Sequence, residues 1–79
     1  MKLQAFDMVQ GALYIHYGLT LSAARMVWVR GQLLLGMEFE GERAAEALAD
    51  WEGQEVPMVM AHDYRSLILA LAKLAGSGL

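Results

Sequence analysis

The chain of 79 residues has no cysteine and one proline, Pro57. Without thiols it can build neither a disulfide framework nor a thiolate metal site, and it has no thiol nucleophile. A secreted domain of this size usually depends on such cross-links, so a cytoplasmic location is expected. Bases are scarce as well: six Lys and Arg against nine Asp and Glu give a net charge of −3. That balance argues against direct nucleic-acid binding, whose affinity comes largely from phosphate contacts. The longest unbroken apolar run is LILALA, Leu67 to Ala72, far short of the roughly 20 residues that span a bilayer. The opening MKLQAFD sets Asp7 ahead of any such run and does not have the form of a signal peptide.

Catalytic signatures are also missing. Thr20, Ser22, Ser66 and Ser77 lack the context of a nucleophile elbow. The glycines form neither a dinucleotide fingerprint nor a phosphate loop. The histidines are His16, expected in a strand, and His62, expected at a strand-to-helix junction. Neighbours on a strand point to opposite faces, so His62 and Asp63 are not read as a dyad, and no ligand spacing announces a metal site. Tyr14, Tyr17, Trp28, Phe39 and Trp51 are too scattered for a base-stacking platform. The expectation is a protein that is no enzyme, with no catalytic residue, no metal and no cofactor.

Apolar residues are abundant, at 57%, more than in an average soluble domain. Residues 1–79 are too few for two cores, so a single compact domain is expected. A chain this short hides only part of its apolar surface, and the remainder should meet a partner or a second copy.

Periodicity points to an α+β fold. From Leu33, the residues Leu35, Met37 and Phe39 alternate with Gly36, Glu38 and Glu40, the period of a half-buried strand. Met26 to Val29 reads as its partner, and the intervening Arg30 and Gly31, or these two with Gln32, fit a short turn, which gives a hairpin over roughly 25–40. Leu13, Ile15 and Tyr17 alternate with Tyr14 and His16, which predicts a further strand; residues 1–10 also lean towards a strand. After Gly41, Ala44, Ala47, Leu48 and Trp51 recur at helical spacing and Gly53 supplies a stop. The stretch EVPMVMA reads as a short strand with Pro57 at an edge or at its first residue. Asp63 then caps a last helix, Tyr64 to Ala75, that is apolar almost all round. The expected architecture is a small antiparallel sheet of three to five strands with two helices.

Charge is segregated. Glu38, Glu40, Glu42, Glu46, Asp50, Glu52 and Glu55 are seven of the nine acids and share nineteen residues with one base, Arg43. On a helix Glu42, Glu46 and Asp50 stand at i, i+4 and i+8, in one line on one face, where like charges repel. Glu38 and Glu40 share a face of the preceding strand. Such a layout serves either as a solvated face that keeps an apolar chain apart from its neighbours, or as a binding face for a basic partner. Under the second reading Glu38, Glu40, Glu42, Glu46, Asp50 and Glu52 are the partner-binding residues.

A compact, cysteine-free, acidic α+β chain of this length, with no catalytic motif and a segregated acidic stretch, resembles the small phage-encoded anti-CRISPR inhibitors. The resemblance covers the whole chain in size, charge layout and lack of chemistry, and it involves no shared motif. It implies an inhibitor of a basic, nucleic-acid-handling protein, such as a CRISPR effector complex, acting in the cytoplasm of a host bacterium. The other reading is a structural or oligomerising module, like an antitoxin or a phage assembly factor, that works through the apolar last helix. That helix would also support a homodimer.

Overall fold

The period-two stretch does form a strand. In the computed structural model, which describes residues 1–53 and 61–76, it is β3, Gln32–Glu40, in the centre of a three-stranded antiparallel sheet. Its neighbours are β1, Lys2–Ala5, and β2, Thr20–Val29, in the order β1-β3-β2. The other elements are α1, Met8–His16, α2, Ala44–Glu52, and α3, Ala61–Gly76. The class is α+β as expected, but the described residues hold three helices instead of two.

Two residues, Arg30 and Gly31, join β2 to β3, both at positive φ, 51° and 79°. Positive φ at both central positions matches the right-handed twist of the flanking strands, and Gly31 takes it without steric cost. Near the other end of β2 the register shifts between Leu21 and Ala23. This bulge lets Leu21 and Ala24, an odd number of residues apart, both face the core.

Residues 13–17 are a correction: Leu13 to His16 belong to α1. Asp7 accepts a hydrogen bond from the Val9 amide at 2.7 Å and so caps the helix start. Gly18, at φ 80°, closes its end, with its amide bonded to the Ile15 carbonyl and the Leu19 amide to that of Tyr14. The alternation in the sequence is therefore not that of a strand. Leu13 and Tyr14 are both buried, because α1 packs against the sheet and against both other helices. Residues 1–10 divide into β1 and the first turn of α1.

All three helices lie on one face of the sheet. Leu3, Met37, Phe39, Tyr14, Ala47 and Leu67 meet there in one core, and the Tyr14 ring stands edge-on to Phe39 at 5.4 Å. In α2, Ala44 is buried, and Leu48 and Trp51 are half-buried against that core, on the face that the spacing indicated. Asp63 is not the cap of α3, which begins at Ala61; it lies in the first turn and is buried. The strand expected at EVPMVMA falls outside the described residues up to Met60, and Ala61 is helical. Among the described residues no helix is long and apolar enough to cross a membrane.

Candidate functional site

Strand pairing sorts the residues of the sheet between its faces. Leu3, Ala5, Met37 and Phe39 point to the helices, so Lys2, Gln4, Glu38 and Glu40 point the other way. On β2 the same outer face carries Ala23, Arg25, Val27 and Val29. Phe6 lies across it: a Cβ on Gly36 would come within 3.2 Å of the Phe6 ring and 3.3 Å of Val27 Cγ2. Phe6, Val27, Val29 and Gly36 thus line a shallow trough of about 180 Å³, with Arg25 and Glu38 at its margin.

The six carboxylates divide between two surfaces. Glu38 and Glu40 belong to this outer face, and Glu38 pairs with Lys2 Nζ at 3.3 Å. Glu46, Asp50 and Glu52 belong to α2, in the helical layer on the opposite side of the sheet. Glu42 lies in the turn before α2, so the expected line of Glu42, Glu46 and Asp50 on one helix face is reduced to its last two members.

Those two members are engaged within the chain. Arg43 Nε and Nη2 donate to the two oxygens of Glu46 at 2.9 and 2.8 Å, a two-pronged pair. These bonds hold the Glu46 carboxyl below its ordinary pKa. The same guanidinium lies over the Tyr17 ring, 4.6 Å from its centre. Tyr17 donates its hydroxyl proton to Asp50, and this bond, with burial, raises the phenol pKa. Glu40, Glu42 and Glu52 make no ion pair among the described residues. Glu52 is felt by Tyr14, whose pKa is raised by burial first and by this charge in addition.

The histidines come together in space, although 46 positions separate them in the chain. Asp63 presents one oxygen to His16 Nδ1 at 3.0 Å and the other to His62 Nε2 at 3.2 Å. The expectation that His62 and Asp63 do not meet is corrected: both lie in the first turn of α3, where the His62 ring reaches the Asp63 carboxylate. His16 is likewise on a helix, at the end of α1. The cluster ties α1 to the start of α3; among the described residues no group of three or more His, Asp or Glu side chains is arranged to hold a metal ion. The pairing of His16 with Asp63 left no local signal in the sequence, since it depends on how α1 and α3 cross.

Comparison with protein-family models, curated proteins and solved structures finds no match to this chain.

Proposed function

We propose that the chain is a non-catalytic protein-binding module, an inhibitor that docks carboxylates on the basic surface of a nucleic-acid-handling partner. The observation that carries this reading is the end of β3. Glu40 and Glu42, on either side of Gly41, are exposed and without an ion pair among the described residues. Glu40 ends a sheet face that no described helix covers, with Glu38 and the apolar trough along the same face, and Glu42 follows in the turn. Carboxylates at the margin steer a basic partner into register, and the trough offers an apolar centre that can be desolvated. Glu46 and Asp50 contribute less, because each already has a partner in its own chain. A CRISPR effector complex is the partner class that the resemblance implies.

Capture of the partner by the tagged protein, repeated across a salt series and after nuclease treatment, tests this reading. Retention that weakens as salt rises and survives nuclease supports it. Retention indifferent to salt favours the other reading, a module acting through α3, where Ile68 and Leu69 are 56% and 62% exposed.

A further inference from the structure

The outer edge of β2 carries features of a contact between two copies. In a two-residue hairpin the residues flanking the loop exchange backbone hydrogen bonds, so Val29 faces Gln32. Alternation along β2 then turns the backbone groups of Val27 and Arg25 towards β3, and those of Ala24, Met26 and Trp28 to the open side. Among the described residues no strand pairs with that side. Exposed edges are ordinarily shielded by brevity, a lysine, a proline or a bulge. Here the bulge interrupts only residues 21–23, and Ala24 to Val29 hold a single charge, Arg25, and no proline. Two large apolar side chains of this stretch are wet, Trp28 at 73% and Met26 at 56% exposed, on the inner face where the hairpin runs beyond the helices, while Ala24 on the same face is buried.

We infer that the stretch Ala24 to Trp28 of β2 pairs antiparallel with the same stretch of a second copy, joining two three-stranded sheets into one. The occupant is a second copy because the stretch is complementary to itself, as a two-fold contact requires. Centred on Met26, the pairing sets Met26 beside its counterpart and Trp28 beside the small Ala24, in both directions. Arg25 falls opposite Val27, so the only charges on the edge do not face one another. The pairing satisfies about six backbone hydrogen-bonding groups on each side of the axis. A strand pair of this length is smaller than the roughly 1,200–2,000 Å² of a standard interface, so the dimer forms only at high protein concentration. The edge is separate from Glu40 and Glu42, and each proposal can fail without the other.

The absence of cysteine gives a direct test. Paired residues on the axis have Cα atoms about 5.5 Å apart, within the reach of a disulfide. Met26→Cys is expected to oxidise to a covalent dimer many times faster than Leu33→Cys or Ile68→Cys, which lie off the axis. In the unaltered chain, exchange of the Met26 and Trp28 amides is expected to slow as concentration rises, while sedimentation shows a growing dimer fraction that Met26→Lys removes. Equal linking rates for the three cysteine variants would overturn the inference. So would a wild-type monomer at all concentrations, or amides at Met26 and Trp28 that exchange at a rate independent of concentration.

Discussion

Gly11 of α1 and Leu67 of α3 approach so closely that a Cβ on Gly11 would lie 3.0 Å from Leu67 Cδ2, with Met37 Cε at 3.3 Å. A glycine inside a helix weakens it by about 1 kcal/mol relative to alanine; here it lets α1 and α3 close over β3. Gly11→Val is expected to destabilise the fold by about 1–3 kcal/mol through overpacking. Leu67→Ala is expected to lose about 2–5 kcal/mol. Because Leu67→Ala vacates the space that the valine needs, the double variant should fall short of the sum. Urea denaturation of the four proteins measures this, and strict additivity would contradict the packing described.

The β2–β3 turn gives a second expectation. Both Arg30 and Gly31 adopt positive φ, a conformation that costs a residue with a Cβ roughly 1–2 kcal/mol. Gly31→Ala is therefore expected to lower stability by about that amount. Arg30→Asn should raise it by a few tenths to about 1 kcal/mol, since asparagine followed by glycine is the favoured pair for this turn. Thermal melts of the two variants should move in opposite directions.

The hairpin was legible because its signals are local: alternation in β3 and a glycine where the turn requires one. The N-terminal half of β2 was not, because the bulge at Leu21–Ala23 breaks the period that identifies a strand. The helical character of α1 is hidden in the sequence for a different reason. The helix is buried on more than one side, so Leu13 and Tyr14 are both apolar and inward, and Leu13, Ile15 and Tyr17 imitate a strand. Its true signal was Asp7 as a cap. The acidic stretch was legible as composition, and the pairing of Glu46 with Arg43 is local, at i, i+3, but the pairings that engage Glu38 and Asp50 were not legible. Lys2 and Tyr17 reach their partners only through the sheet and the helix packing.

Alkaline titration separates Tyr17 from a merely exposed phenol. Donation to Asp50 raises its pKa above the ordinary 10.0, and burial raises that of Tyr14. A group whose pKa is raised by folding lends its stability in full below the unfolded value. That stability is lost as pH climbs through the folded value, so it is expected to hold up to about pH 10 and decline beyond it. Asp50→Ala should bring one tyrosine ionisation down towards 10, read by ultraviolet absorbance. An unchanged titration curve in that variant would show that the Tyr17–Asp50 bond is not formed in solution.

The proposed function depends most directly on Glu40 and Glu42. Both are exposed, where substitutions usually change stability by about half a kcal/mol or less, so Glu40→Lys with Glu42→Lys should fold normally. The measurement is the association rate and affinity of this double variant for the captured partner, beside Glu46→Gln as a control. Loss of binding in the double variant, with the control near wild type and both proteins melting as wild type does, is the expected result. A folded double variant that binds at full strength and with the wild-type dependence on salt would contradict the proposal that these carboxylates meet a basic partner.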